Sequence, residues 1–203
     1  MFDITPREFL FILAAVLPSL TIHEFAHAWI AYKFGDDTAK NMGRLTLNPV
    51  AHIDLFGTII LPLIAHFGWA KPVPVNFNVL NRGQILLVAI AGPLSNLFLA
   101  VLLTIAFHIL PVKTIPYVGN YLLTAIFLNI IFAIFNLIPI PPLDGSRIVY
   151  AGLKSPKAIK MYKYYSGFGI FILIGLLIFG GFSFIVLPVV KIFFKLFRLP
   201  LQF

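Results

Sequence analysis

Long apolar stretches alternate with shorter polar ones along this chain. Residues 9–32, 84–110 and 121–138 are each long enough for a helix to cross the roughly 30 Å hydrocarbon core of a bilayer. A further apolar run covers 168–190, and the glycine pair at 180–181 leaves open whether it forms one membrane segment or two. The pattern predicts an all-α polytopic membrane protein, a helical bundle of about four to six membrane segments.

The region between the first two long stretches is predicted to contain more than a simple loop. Residues 55–69 are apolar but short, and glycine and proline interrupt them, so a re-entrant or interfacial position is favoured over a crossing, which stays open. The polar stretch 36–54, with turn signals at 41–43 and 48–49, predicts one or two short strands. Residues 71–81 form a proline-restricted strip that is expected to be extended.

Composition excludes several other classes of protein. Hydrophobic residues make up 60% of the 203 residues, charged residues make up 11%, and the mean hydropathy is +0.99. A soluble domain of this length could not bury so much apolar surface. Cysteine is absent, which excludes disulfides and cysteine-ligated metals. The N-terminus lacks the basic region and cleavage site of a signal peptide, so we expect the first apolar segment to be retained.

The basic residues lie mostly between the apolar segments, which indicates a role in membrane topology rather than nucleic-acid binding. If 55–69 does not cross, loops 32–84 and 141–167 share one side and hold ten of the 15 Lys and Arg residues. The N-terminus and loop 111–120 lie opposite with two, and the C-terminal tail adds three to one side or the other. The positive-inside rule then predicts that the two large loops are cytoplasmic.

The candidate chemistry lies inside the first apolar stretch, in the sequence His-Glu-Phe-Ala-His at 23–27. Histidines four apart on a helix are separated by about 40° around its axis, so His23 and His27 can bind one metal ion. Glu24 points about 100° away from His23, beside the ion rather than at it. This H-E-x-x-H arrangement is typical of two zinc ligands and a general base. The alternative, a polar patch that pairs helices, is disfavoured because no lysine or arginine lies nearby.

A catalytic zinc usually has three protein ligands and one open position, so a third ligand is expected. Glu8 and Glu24 are the only glutamates, which excludes a downstream glutamate ligand. Lys33 stands where a metzincin has its third histidine, which excludes that pattern too. The remaining candidates are Asp3, Asp36, Asp37, Asp54, Asp144, His52, His66 and His108.

Asp144 is the favoured third ligand because it follows an unbroken apolar and proline run at 137–143. A carboxylate in that position needs a cation or strong donors, and a metal ion provides the cation. Two alternatives are a helix-end aspartate solvated at the membrane interface and an ion pair with Arg147. His52 is the best reserve ligand, although an interfacial structural histidine is the more common role.

The chain resembles the site-2 protease family of intramembrane zinc metalloproteases at three motifs in the family's order. These are His-Glu-Phe-Ala-His at 23–27, Ala-Gly-Pro-Leu-Ser-Asn at 91–96 and Asn-Leu-Ile-Pro-Ile-Pro-Pro-Leu-Asp-Gly at 136–145. The resemblance covers about residues 9–150. A span, a short loop and another span fill the interval between the second and third motifs, which leaves no room for the PDZ domain of many bacterial relatives.

The resemblance implies a single integral-membrane protease domain over 1–203, with its catalytic core at about 9–150 and C-terminal membrane segments at about 168–198. It implies one Zn²⁺ per chain and a prokaryotic cell membrane as the location. The implied zinc ligands are His23, His27 and Asp144.

The resemblance also implies that Glu24 activates the attacking water. It makes Asn136 a candidate for holding the substrate or its oxyanion, and it places Asn96 as a second candidate facing the site. Simple helix packing is the alternative role for Asn96. The stretches 36–54 and 71–81 resemble the family's small membrane-associated β region, which presents an edge for an unwound substrate strand.

The function predicted from these features is a zinc-dependent intramembrane endopeptidase. It would hydrolyse peptide bonds in or near transmembrane segments of membrane proteins, with the lipid bilayer as its surroundings and no nucleic-acid partner. The alternative is a metal or ion transporter, or a non-catalytic binding protein, that uses the same ligands. Only the enzyme needs Glu24 as a base, so Glu24→Gln separates the two predictions.

Overall fold

The computed structural model describes residues 6–54, 57 and 71–200, which fold into seven α-helices and one 3₁₀ helix. The elements, in chain order, are α1 (Pro6–Lys33), α2 (Thr38–Asn41), the 3₁₀ helix (Pro49–His52), α3 (Arg82–Ile109), α4 (Val118–Asn136), α5 (Asp144–Gly152), α6 (Pro156–Ile178) and α7 (Gly181–Leu196). Four of them, α1, α3, α4 and α6, have the length and apolar composition to cross a membrane. The predicted all-α membrane architecture is therefore confirmed.

Three predicted spans are confirmed as α1, α3 and α4, with bounds that differ by a few residues. The C-terminal apolar run forms two helices, because Gly180 takes a left-handed conformation (φ 73°) between α6 and α7. Helix α6 begins earlier than the apolar run, at Pro156, and includes the basic residues that precede it. Residues 55–69, apart from Gly57, lie outside the described residues, so the prediction that they do not cross stays a prediction.

The predicted β region is wrong. Stretches 36–54 and 71–81 are both described, and neither contains a strand. The first forms α2, a turn at Gly43 and the 3₁₀ helix, whose start is set by Asn48, which accepts from the Val50 backbone N–H at 3.1 Å. The second lacks regular structure up to a turn before α3, and Pro72 and Pro74 have no N–H to offer a neighbouring strand.

Helix α3 is the central element, because it packs against α1, α4 and α5. It starts with a capping box. The Asn81 side chain accepts from the Gln84 backbone N–H at 3.0 Å, and the Gln84 side chain accepts from the Asn81 backbone N–H at 2.8 Å. The core between α3, α4 and α7 is made of small and aliphatic side chains with one phenylalanine, as close helix packing in lipid requires. Its buried members are Ala100, Leu123, Ile126, Ile130, Val186, Val190, Phe194 and Leu199.

The proline-rich loop 137–143 leads from α4 into α5 and is covered by α6. Gly169 of α6 lies against Pro141, where a Cβ atom would meet Pro141 main-chain and side-chain atoms. Tyr165 donates to the Pro139 carbonyl at 3.1 Å, and Leu173 belongs to the buried cluster formed with this loop. Helix α6 thus holds the loop that delivers the first residue of α5 to the candidate site.

Candidate metal centre

Three side chains from α1 and α5 meet at one buried point. His23 Nε2 and His27 Nε2 are 3.1 Å apart, and Asp144 Oδ2 lies 3.2 Å from the first and 3.1 Å from the second. The histidines come together because they are one helical turn apart, and Asp144 reaches them because it is the first residue of α5. The three residues are between 4% and 9% exposed. Among the described residues they form the one group that can hold a metal ion.

The outer ring nitrogens show which atoms face the centre. His27 Nδ1 lies 2.7 Å from the Val88 carbonyl oxygen, and His23 Nδ1 lies 2.6 Å from Asn96 Oδ1. Both oxygens only accept, so each Nδ1 carries a proton, and in the neutral rings each Nε2 then presents a lone pair. Two lone pairs and a carboxylate oxygen within 3.2 Å repel one another unless a cation lies between them. The donor set therefore fits a divalent metal, with the outer hydrogen bonds that metal-binding histidines usually make.

Gly92 lets α3 approach the two histidines closely. A Cβ atom on Gly92 would lie 2.7 Å from His23 Nε2 and closer still to His27 Nε2. Gly145, next to Asp144, likewise permits a close approach, because a Cβ atom there would meet the Leu137 and Ile138 carbonyl oxygens. Both positions require the absence of a side chain, one at the metal donors and one where the ligand-bearing loop turns into α5.

Glu24 lies beside this centre and is not one of its donors. Its side chain is half-buried, and its Oε2 accepts from the Val73 N–H at 2.7 Å. A carboxylate has two oxygens, so this bond orients the group and leaves the second oxygen for a water molecule. The strip 71–76 therefore passes next to the predicted base.

The other predicted ligand candidates have different surroundings. His52 donates to the Thr46 carbonyl at 2.9 Å, and His108 donates to the Phe197 carbonyl at 2.9 Å, at the far end of α3. Asp36 and Asp54 accept backbone N–H groups, and Asp37 lies 4.0 Å from Lys40. Asp3 and His66 lie outside the described residues.

The two predicted asparagines also differ from each other. Asn96 is brought to the centre, as the partner of His23. Asn136 donates to the Phe132 carbonyl of its own helix at 3.0 Å. Arg147, the alternative partner for Asp144, places its guanidinium 4.3 Å from the centre of the Phe77 ring instead.

Sequence reasoning missed two buried residues that support the centre, Ser19 and Asn129. Both belong to a hydrogen-bonded network with Asn96, and both are at most 1% exposed. The signal that points to such residues is a polar side chain in the middle of a membrane-length apolar helix. The sequence displays that signal at Asn129, without indicating which residue it contacts.

Comparison with known proteins gives one family. The model of Peptidase family M50 matches residues 11–117 and 112–179 of the chain. The chain is similar to "Putative zinc metalloprotease YwhC" of Bacillus subtilis, with 45% identity over 148 residues, which is 68% of this chain and 67% of the relative. These matches confirm the resemblance drawn from the sequence motifs.

More distant relatives carry similar names. "Putative zinc metalloprotease Rip2" of Mycolicibacterium smegmatis is 37% identical over 149 residues, covering 68% of this chain and 55% of the relative. "Zinc metalloprotease MJ0392" of Methanocaldococcus jannaschii is 30% identical over 186 residues, covering 91% of this chain and 46% of the relative. The chain thus spans about half the length of these two relatives. No solved structure matches the chain.

Proposed function

We propose that this chain, which belongs to Peptidase family M50, is a zinc-dependent endopeptidase that hydrolyses peptide bonds in or near transmembrane segments of other membrane proteins. The chain is an integral membrane protein with four membrane-length apolar helices in its described part. The observation that carries the proposal is the meeting of His23, His27 and Asp144 inside this helical bundle, with Glu24 beside them. We further propose one protease domain, with its core at about 9–150, in a prokaryotic cell membrane.

One zinc ion per chain would be held by His23, His27 and Asp144, the buried donors that require a cation. When bound, zinc supplies a Lewis acid for the scissile carbonyl and lowers the pKa of a water molecule. Each histidine is fixed by its outer nitrogen, so its Nε2 is held ready for the metal. The names of the relatives, which specify zinc metalloproteases, support the choice of metal.

Glu24 is the proposed general base. The Val73 N–H holds one carboxylate oxygen, so the other can accept a proton from the attacking water and later deliver it to the leaving nitrogen. The position next to a metal-binding histidine on a rigid helix keeps the carboxylate close to the metal without binding it. A transporter with the same ligands would not need this group.

The burial of the centre among membrane-length helices supports a substrate that itself lies in the membrane. A transmembrane helix satisfies its carbonyls with its own hydrogen bonds, so a substrate must unwind before its peptide bond is accessible. Residues that destabilise helices should therefore promote cleavage in a substrate. Asn136 stays the candidate that binds the unwound backbone or the oxyanion, whereas the side-chain oxygen of Asn96 is already used by His23.

The experiment compares the parent with Glu24→Gln, using zinc-loaded protein in detergent and a labelled single-span substrate. Glutamine keeps an oxygen that can accept from the Val73 N–H, but it has lost the basic carboxylate. We expect zinc content to be unchanged and the cleavage rate to fall at least ~100-fold, the usual scale for losing acid–base catalysis.

The matched control is Asp37→Asn, which makes the same chemical change at an exposed position. It should cleave at the parental rate, and a chelator should stop cleavage by the parent until zinc is restored. Near-parental cleavage by Glu24→Gln would overturn the role of Glu24 as the base, and a parent that shows no chelator-sensitive cleavage would overturn the proposed protease.

A further inference from the structure

A network of buried hydrogen bonds runs from His23 through three membrane-length helices. It consists of Ser19 on α1, Asn96 on α3 and Asn129 on α4, and we call these three residues the amide network. Their exposed fractions are 1%, 0% and 0%. Polar side chains are rare inside membrane-length helices, so three fully buried ones in mutual contact require an explanation.

The orientation of Asn96 follows from its two acceptors. Asn96 Nδ2 donates to the Ser19 carbonyl oxygen at 3.1 Å and to Asn129 Oδ1 at 2.8 Å. The opposite amide orientation would turn the side-chain oxygen towards both of these oxygens and the NH₂ group towards His23. The network therefore keeps the Asn96 oxygen on His23 Nδ1, where it accepts the ring proton.

The orientation of Asn129 is fixed in turn by the main chain. Its Nδ2 donates to the Ala125 carbonyl at 2.8 Å and to Ser19 Oγ at 2.8 Å, and Ser19 Oγ donates to the Ala15 carbonyl at 2.8 Å. Main-chain carbonyls can only accept, so the hydroxyl of Ser19 and the NH₂ groups of both asparagines must donate to them. This fixes the direction of the remaining hydrogen bonds of the network as far as His23.

The two histidines differ in what holds them. A main-chain carbonyl, that of Val88, fixes His27 directly. His23 depends on a side-chain amide, which can rotate unless something else holds it. The Ser19 carbonyl and Asn129 Oδ1 together provide that hold, because both accept from Asn96 Nδ2. Among the described residues, Asn129 contacts neither the metal donors nor Glu24, so its effect on the centre passes through Asn96.

We propose that Asn129, supported by Ser19, is a positioning residue that holds Asn96, and through it His23, in the orientation that metal binding requires. This inference rests on the proposed metalloprotease function. Partners of metal-binding histidines typically change metal affinity by 10- to 100-fold when they are lost. Asn129 acts one contact further out, so its loss should weaken metal binding by about 10-fold.

The test uses the purified full chain in detergent, stripped of metal and titrated with Co²⁺ as a coloured probe for zinc. Asn129→Leu keeps the number and branching of the side-chain heavy atoms and removes the amide. We expect the Kd for Co²⁺ to rise about 10-fold and the visible spectrum of the bound ion to change, because Asn96 keeps only the Ser19 carbonyl as an acceptor and holds His23 less firmly. The control is Thr104→Val, which removes a fully buried hydroxyl from α3 at a position outside the network. It should bind Co²⁺ with a Kd within about twofold of the parent.

Ser19→Ala is the second variant, and it removes only the hydroxyl. Asn129 then keeps its bond to the Ala125 carbonyl, so we expect a smaller weakening, of about threefold, which corresponds to one neutral hydrogen bond. If Asn129→Leu does not fold, Ser19→Ala decides the question. A weaker Kd supports the proposal, and a parental Kd overturns it.

The outcomes separate this inference from the proposed function. Failure of the parent to bind Co²⁺ or Zn²⁺ would overturn the metal centre and this inference with it. Parental binding and a parental spectrum in a folded Asn129→Leu protein would overturn only the positioning role. A lower thermal stability with unchanged Kd and spectrum would likewise assign Asn129 to helix packing alone.

Discussion

At the scale of single residues, Gly92 determines whether the metal donors have room. Alanine is a better helix residue than glycine by about 1 kcal/mol, so Gly92→Ala would stabilise an open helix position. Here the added methyl would enter the space of His23 Nε2 and His27 Nε2. We expect Gly92→Ala to lose most of its bound zinc and to unfold at a lower temperature than the parent. Overpacking of this kind typically costs about 1–3 kcal/mol. Metal analysis and thermal unfolding measure the two effects.

The control for that substitution is Gly175→Ala in α6, where a Cβ atom meets nothing within 4 Å. It should keep parental zinc content and equal or slightly greater stability. Parental zinc binding in Gly92→Ala would show that α3 does not approach the histidines as closely as the structure has it.

Local sequence reasoning succeeded for residues whose role depends on spacing. His23 and His27 were identified because one helical turn separates them, and Asp144 was favoured because a carboxylate after an apolar run needs a cation. The contact between Asn96 and His23 could not be predicted in the same way. It depends on how α3 lies along α1, and no local pattern encodes that alignment. The role of Asn129 is still further removed, since it involves a third helix.

At the scale of elements, Asp36 joins the loop after α1 to the strip before α3. Its Oδ1 accepts from the Thr38 N–H at 3.0 Å and from the Thr38 hydroxyl, and its Oδ2 accepts from the Asn76 N–H at 2.7 Å. Burial alone would raise the pKa of Asp36, but these hydrogen bonds to the charged form outweigh it and lower the pKa below its usual value. The ionised carboxylate therefore stabilises the fold.

The sign of that shift gives a pH dependence. The folded-state pKa lies below the unfolded value of 3.8, so the stabilisation is present above pH 3.8 and is lost as pH falls through the folded pKa. We expect Asp36→Asn to lower the free energy of unfolding at pH 7 by about 1–3 kcal/mol, the usual range for a hydrogen-bonded charged group. The difference from the parent should shrink as the pH is lowered below 3.8. Unfolding in detergent at several pH values measures this.

Asp37→Asn is the matched control, because Asp37 is exposed and its recorded ion pair, with Lys40, is long at 4.0 Å. It should leave stability within about 0.5 kcal/mol of the parent at every pH. A pH-independent difference between Asp36→Asn and the parent would contradict the assignment of the stabilisation to the ionised carboxylate.

The same elements explain why the helices were predictable and the β region was not. Helices α1, α3 and α4 satisfy their main chains internally, so a long apolar run was enough to identify them. An extended strip needs partners from elsewhere. Here side chains supply them: Glu24 and Asp36 accept from N–H groups of the strip at 71–76, and Arg44 donates to the Lys71 carbonyl at 2.7 Å. Sequence pattern predicts extension but cannot tell a side-chain partner from a neighbouring strand.

At the scale of the whole molecule, contacts between helix ends show which loops lie on the same side of the helical bundle. Tyr121 at the start of α4 donates to the Ala14 carbonyl in the first half of α1, and its ring contacts Phe11. His108 at the end of α3 bonds to Phe197, just after α7. The starts of α1 and α4 and the ends of α3 and α7 therefore share one side. The large loops 32–84 and 141–167 flank the other ends of these helices.

This arrangement decides where the C-terminal tail lies, which the sequence left open. The three basic residues of the tail join Arg7 and Lys113, so that side holds five cations against ten in the two large loops. The excess is smaller than the ten-to-two count that left the tail out, but it has the same direction. We therefore still expect the large loops to be cytoplasmic.

Single cysteines test this orientation, because the chain has none of its own. Replacing neutral, exposed residues leaves the charge count unchanged, so Asn41→Cys, Ser155→Cys and Thr114→Cys are suitable. An impermeant maleimide added to intact cells should label position 114 and reach positions 41 and 155 only after the membrane is opened. Position 114 is the internal control, since it lies in the loop between α3 and α4 that must face opposite to the other two. Labelling of 41 and 155 in intact cells, with 114 protected, would reverse the orientation, and the metal centre would then open towards the outside of the cell.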